Sequence, residues 1–320
     1  MLRRLTLVDP ALAGAACGLL AAVAYTASNV FLRQVADCDP IWVSCVKSWP
    51  TIVLVAPFLV MRGVQGKGFV PSLRALELLM LAGLVGQLVG NVAFQWSLGV
   101  VGMSLSVALC FGGMILSGVL LGRWLLGESV TFRMLLASAV LMAAIGILSL
   151  GAAAANRAVT ESSPGLTSVH GWMLIVGILA PCASGFAYSL LGVAIRHSAI
   201  QGTPMSMILM SVGLVGAVSL GTLSLLRLGP QTLSLTSADD LNSMLLAGAC
   251  NAGAFWALSK ALHLTNVAVV NGMNASQIAM AALAGVFFFQ EAASPALITG
   301  VGLTVAGLIL MKKEMLPVEA

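Results

Sequence analysis

Long apolar runs separated by short polar breaks pattern this chain. They span about 10–32, 41–61, 76–98, 101–122, 132–151, 171–193, 205–226, 241–262, 267–289 and 295–312. Each has roughly the 20 apolar residues that a helix needs to cross a hydrocarbon core about 30 Å thick. The pattern predicts an all-α integral membrane protein with ten transmembrane helices. The breaks carry turn chemistry: Asp37-Cys38-Asp39-Pro40, the glycine-rich Gly63–Ser72 stretch, Leu228-Gly229-Pro230, and the long polar stretch Asn156–Thr167. That last stretch divides the chain almost equally. The expected organisation is a first five-helix unit over 10–151, a linker over 152–169 and a second five-helix unit over 170–312.

Charge supports this map and orients it. Cytoplasmic connections of membrane proteins carry an excess of Lys and Arg. With the N-terminus inside, eleven basic residues, Arg62, Lys67 and Arg74 among them, fall on the cytoplasmic side. Arg33, Arg157 and Arg227 fall outside, and Lys47 is left within a span. Both termini are expected in the cytoplasm, and the expected location is a bacterial cytoplasmic (inner) membrane. Composition agrees: 8% of residues are charged and 59% are hydrophobic, against about 25% charged in soluble domains. This excludes a soluble enzyme, a disordered chain and a nucleic-acid binder, because the net charge of +4 forms no basic patch. Six cysteines show no CxxC pattern and read as small apolar residues. No cofactor is expected, and the glycine-rich loops lack the GK[ST] of a nucleotide site.

The two halves resemble each other. Shifted by 163 residues, Ala24-Tyr25, Val30 and Arg33 fall on Ala187-Tyr188, Val193 and Arg196. In the same register Gly122 and Glu128 fall on Gly285 and Glu291, while Asn91 and Trp96 meet Asn251 and Trp256 at a shift of 160. Five spans is an odd number, so the copies must run in opposite senses across the membrane. Inverted repeats of this kind mark secondary transporters, with the site near mid-membrane at the repeat interface.

One segment, Leu120-Leu121-Gly122-Arg123-Trp124-Leu125-Leu126-Gly127-Glu128-Ser129-Val130-Thr131, joins the fourth and fifth runs. It is echoed by Gly285-Val286-Phe287-Phe288-Phe289-Gln290-Glu291 before the glycine-rich tenth run. With these motifs the chain resembles the drug/metabolite transporter superfamily, EamA type, over about 13–312. The resemblance implies ten spans as two inverted five-helix repeats and transport of a small metabolite. It departs from the family where a proline is often found before each glutamate. Here those places read Phe111-Gly112-Gly113-Met114 and Asn274-Ala275-Ser276-Gln277, which points to a subfamily with different helix breaks.

Polar side chains in a membrane span usually face the bundle interior. Gln87, Asn91 and Gln95 follow at i, i+4 and i+8, one face of a helix, as do Tyr25, Asn29 and Arg33. Asn271, Asn274 and Gln277 lie in the ninth run, Asn251 and Trp256 in the eighth, and Lys47 some six residues into the second. The expected substrate-binding set is therefore Tyr25, Asn29, Lys47, Gln87, Asn91, Gln95, Asn251, Trp256, Asn271, Asn274 and Gln277. The competing reading gives the amides to interhelical hydrogen bonds, lets Lys47 snorkel its stem to the outer interface and puts Trp256 in an interfacial belt. Arg33 and Arg196 read as interface anchors, and Glu128 and Glu291 as caps that bond backbone amides.

The expected function is secondary transport of a small polar metabolite such as an amino acid, as an exporter or exchanger working by alternating access. No catalytic residues or metal are expected. The partners are a small-molecule solute and the lipid bilayer, with no nucleic acid; the sequence leaves the oligomeric state open, a monomer being one reading. An integral-membrane enzyme or a non-transporting scaffold is the alternative. The enzyme would need a catalytic cluster at one interface, and His170, His197 and His263 lie in separate connections.

Overall fold

The computed structural model describes residues 10–66, 73–126, 132–162, 166, 169–264, 274 and 276–312. All regular structure among them is helical: α1 Pro10–Gln34, α2 Pro40–Val64, α3 Leu73–Val85, a π-helical turn Gly86–Asn91, and α4 Val92–Leu126. Then come α5 Phe132–Leu150, α6 Ala152–Ser162, α7 Trp172–Ile200, α8 Met205–Leu228, the short α9 Thr232–Leu235, α10 Ala238–Leu264, α11 Ser276–Phe289 and α12 Pro295–Lys312. Six of the described helical stretches are long and apolar enough to cross a membrane, or seven if α5 and α6, bent by 49°, count as one broken span. The protein is thus an all-helical molecule with the build of a membrane protein. Their outward faces carry the exposed leucine, valine and phenylalanine that lipid would solvate, such as Leu81, Leu135, Val218 and Phe287.

The breaks follow from local chemistry. The Asp-Cys-Asp-Pro turn caps α2, where Asp39 Oδ1 accepts from the amides of Ile41 (2.9 Å) and Trp42 (3.2 Å) and Pro40 takes the first position, which needs no N–H. Gly102 stands at φ 78 and ψ 177 and splits α4 into 92–101 and 103–126; only glycine adopts that backbone without strain. The polar stretch expected as a linker is in part helical, since α6 runs through 152–162. Asn156 fixes it, donating from Nδ2 to the carbonyl of Val100 (2.8 Å) beside the break and accepting at Oδ1 from Val169 N (3.0 Å).

Among the described residues, five breaks between helical segments lie together at one end of the bundle. A side-chain carbon at Gly99 would touch the carbonyl of Ala36 and the side chain of Leu166, and one at Gly151 would touch Ser294 and Ala296. Trp42 Nε1 donates to Thr236 Oγ1 (2.9 Å), and Glu291 reaches the break after Gly102. At this end Leu32, Val43, Phe94, Leu98, Met103 and Met244 pack into one buried cluster.

Chain order does not set the main packing partners. α1 lies along α10, α7 along α4, α2 against α8, and α5 against α12, so the most extensive pairings join an early helix to a late one. The tightest crossing is α4 with α7. A side-chain carbon at Gly113 would stand 2.5 Å from the carbonyl oxygen of Cys182, and one at Gly185 would fall on backbone atoms of Cys110 and Met114.

Candidate functional site

The π turn is the origin of the site. One of its residues, Gly90, packs against the ring of Tyr188, where a side-chain carbon would lie 2.7 Å from Cε1. The widened turn also breaks the register of about 3.6 residues per turn on which the Gln87, Asn91, Gln95 stripe was drawn. Gln87 and Asn91 stay on the inner face, and Gln95 turns away. Turns of this kind are frequent at functional sites.

Asn91 sits at the centre of a hydrogen-bonded chain. Its Oδ1 accepts from Lys47 Nζ at 2.6 Å and from Tyr188 OH at 2.8 Å. Its Nδ2 donates to Gln87 Oε1 at 2.5 Å, and Gln87 Nε2 donates on to the carbonyl of Val212 at 3.1 Å. Four helical segments are thereby tied: α2 through Lys47, the π turn, α7 through Tyr188, and α8 through Val212. A cavity of about 60 Å³ opens beside this chain, lined by Lys47, Gln87, Asn91 and Asn251, the hydroxyls of Ser48 and Thr51, and the apolar Leu209, Val212 and Phe255. Lys47 follows the start of α2 by seven residues, about 10 Å at 1.5 Å per residue. That puts the cavity toward the middle of a core about 30 Å thick.

Lys47 does not snorkel. It is 6% exposed, and its ammonium donates to a neutral amide, that of Asn91. A buried ammonium is stabilised well by a carboxylate and only partly by a dipole. None of the residues lining the cavity is acidic. Replacing Lys47 with methionine removes the charge but strands no acceptor, because Asn91 keeps the tyrosine hydroxyl. Lys47→Met is therefore expected to leave stability unchanged or raise it by about 1–2 kcal/mol. Thermal unfolding in detergent checks this, and a clear loss of stability would count against an uncompensated charge.

The other expected site residues are elsewhere. Gln95 is buried and donates from Nε2 to the carbonyls of Leu32 (3.0 Å) and Val35 (3.3 Å), so it caps the C-terminal end of α1. Trp256 is 53% exposed, carries Lys260 over its ring at 5.4 Å and does not line the cavity. Gln277 donates to Asn274 within α11 and its approach, away from the cavity. Tyr25 and Asn29 are partly buried on α1 and do not line the cavity. Asn271 and Glu128 lie outside the described residues. Sequence reasoning passed over Tyr188, although it is the repeat counterpart of Tyr25. It also passed over Ser48, Thr51 and Phe255, which carry no pattern.

A second polar cluster lies at the end where the connections meet. Gln290, in the left-handed region at φ 52, ends α11 and turns the chain so that Glu291 N donates to Gly285 O at 3.0 Å. The Glu291 carboxylate then caps the helix that begins after Gly102, accepting from Met103 N (2.5 Å) and Ser104 N (2.9 Å). Glu291 does bond backbone amides, as expected, but those of a segment nearly 190 residues earlier. Gly102 and Gly285 leave the room, since a side-chain carbon at either would fall on the carboxylate. Arg33, expected at an interface, is 2% exposed, with Nε 3.5 Å from Glu291 Oε1 and its guanidinium 5.2 Å from the centre of the Phe289 ring.

No family model and no curated protein matches this chain. Among solved structures, one protein crystal structure superposes with a TM-score of 0.63, covering 96% of this chain and 98% of that chain at 16% identity. The likeness is one of fold over nearly the full length of both.

Proposed function

We propose that the chain is a secondary transporter of the EamA type within the drug/metabolite transporter superfamily. In this reading it moves a small polar metabolite, such as an amino acid, by alternating access. The carrying observation is the cavity lined by side chains of early helices (Lys47, Gln87, Asn91) and of a late one (Asn251), with Tyr188 of α7 bonded to Asn91. Polar groups that are expensive in lipid converge on a space rather than on one another alone. In the described state that space holds a few waters or a very small solute. A metabolite would enter as the helices around it part.

Ten spans in two inverted repeats are the architecture of this reading. The continuous apolar stretch Leu76–Gly118 has 43 residues, about 65 Å as one helix, which is twice a hydrocarbon core. Gly102 divides it into two crossings. Adding the shorter α5, α11 and α12 brings the total to ten, and ten crossings would put five alternate connections on one face, a count in keeping with the five breaks that lie together. The packing supports the inversion too. Exchanging spans one to five for six to ten maps the pairing of α1 with α10 onto that of α7 with the α3–α4 segment. It maps α2 with α10 onto α3 with α8, and α1 with α11 onto α7 with α4. The pairs α2–α8, α5–α12 and α4–α11 map onto themselves. The connected end would face away from the cytoplasm, with both termini in the cytoplasm of a bacterial inner membrane.

The test is flux from proteoliposomes loaded with a pooled metabolite extract, followed by mass spectrometry. Selective, saturable loss of a few solutes is expected. Asn91→Ala removes the centre of the chain and is expected to cut that flux at least tenfold, with Gln87→Ala weaker, while both proteins remain folded in the membrane. Unchanged kinetics in both would remove the cavity from the transport path.

A further inference from the structure

We infer that the cavity recognises a carboxylate, with the Lys47 ammonium as its direct partner, so the ligand class is small organic acids with a short apolar body. The inference deepens the transport reading of this site and rests on it for the site's purpose.

The argument is one of missing charge. The Lys47 ammonium is buried, lines the cavity and has three N–H donors. One is directed at Asn91 Oδ1, and the lining contains no acidic side chain to balance the charge. A buried cation is stable when an anion joins it. A ligand carboxylate supplies that anion together with two acceptor oxygens, through charge-assisted bonds roughly twice as strong as neutral ones. Asn251 adds amide donors on the same cavity. Ser48 already donates its hydroxyl to the carbonyl of Ser44 at 2.9 Å and is left to accept. On the same cavity Leu209, Val212 and Phe255 offer apolar surface. The cavity of about 60 Å³ must widen for any such ligand, so acids of two to four carbons, which demand the least parting of the helices, are the first probes. No carboxylate stands there to meet a ligand's ammonium, so an amino group is not required for recognition.

The test uses the purified full chain in detergent and measures equilibrium binding by calorimetry and thermal shift. The probes are matched acid and amide pairs: propionate and propionamide, lactate and lactamide, isobutyrate and isobutyramide. Each pair has nearly the same shape and differs in charge. At least one acid is expected to bind saturably, roughly ten- to a hundredfold more tightly than its amide, the range of a hydrogen bond to a charged group. Lys47→Met is expected to erase that preference. Equal binding of acid and amide would overturn the inference, as would a preference that survives in Lys47→Met or the failure of all three acids to bind. The pairwise comparison on the unaltered chain stands even if Lys47→Met does not fold. Transport is judged separately. Acid binding without flux in proteoliposomes would sink the transporter and leave the carboxylate site. Flux of a neutral solute with no acid preference would sink the carboxylate site and leave the transporter.

Discussion

Glu291→Gln is expected to destabilise the protein by about 3–5 kcal/mol, the range for breaking a buried ion pair from one side. The substitution keeps the shape and removes the charge. Arg33, 2% exposed, then loses the anion beside its Nε. The two amides of Met103 and Ser104 also face a group with one acceptor and one NH₂ where there were two acceptors. The start of the helix after Gly102 therefore loses a cap that also drew on its positive end. Neither glycine seat leaves room to swing the amide aside. The measurement is unfolding of the wild-type, Glu291→Gln, Arg33→Met and double variants in mild detergent. The double variant should fall short of the summed single losses by more than about 1 kcal/mol, since neither charge is then stranded. Additive losses would show that the pair does not act as a unit. In the proposed cycle this cluster joins α1, α4 and the α11–α12 turn at the end where the connections meet, so an opening there would have to part it.

Gly185→Ala is expected to lower stability by about 2–3 kcal/mol, and to abolish flux if the protein transports. The added methyl would fall on backbone atoms of Cys110 and Met114. No rotamer relieves a clash with a main chain, so α7 must move off α4 and the facing Gly113 contact opens with it. Tyr188 is one turn further along α7, and its 2.8 Å bond to Asn91 would stretch with that movement. Gly192→Ala on the same helix is the control. Nothing lies within 4 Å of its side-chain position, and alanine favours the helix, so its stability should hold or rise. Equal behaviour of the two variants would mean that the α4–α7 crossing tolerates separation.

Several site residues were legible in sequence because their signal is local. Lys47, Gln87, Asn91 and Asn251 are polar side chains inside apolar runs, and the cost of burying polarity in lipid is enough to mark them. The same rule marked Gln95 and Gln277, which the structure gives to helix ends and to neighbouring backbone or amides. A polar residue in an apolar run announces that it needs a partner, not which partner. Tyr188 had a repeat signal in its pairing with Tyr25, yet its value lies in reaching Asn91, a residue 97 positions away. Phe255, Thr51 and Ser48 are ordinary residues for a span, and only the cavity distinguishes them.

The sequence by itself determined that the chain is a bundle of apolar helices, where most of them begin and end, and which connections carry positive charge. These follow from runs of hydrophobicity, prolines, glycines and capping side chains within a few residues of each other, where the physics is local. Only the tertiary structure decided three things. The π turn splits an even stripe into cavity and helix-end roles, because a widened turn changes register without leaving a mark in composition. Arg33 and Glu291 became one buried pair across more than 250 residues, because two glycines and a left-handed Gln290 bring the carboxylate to the broken α4. Early helices chose late ones as neighbours, because side-chain size at crossings such as Gly113 with Gly185 sets how closely backbones approach, and that complementarity exists only between surfaces.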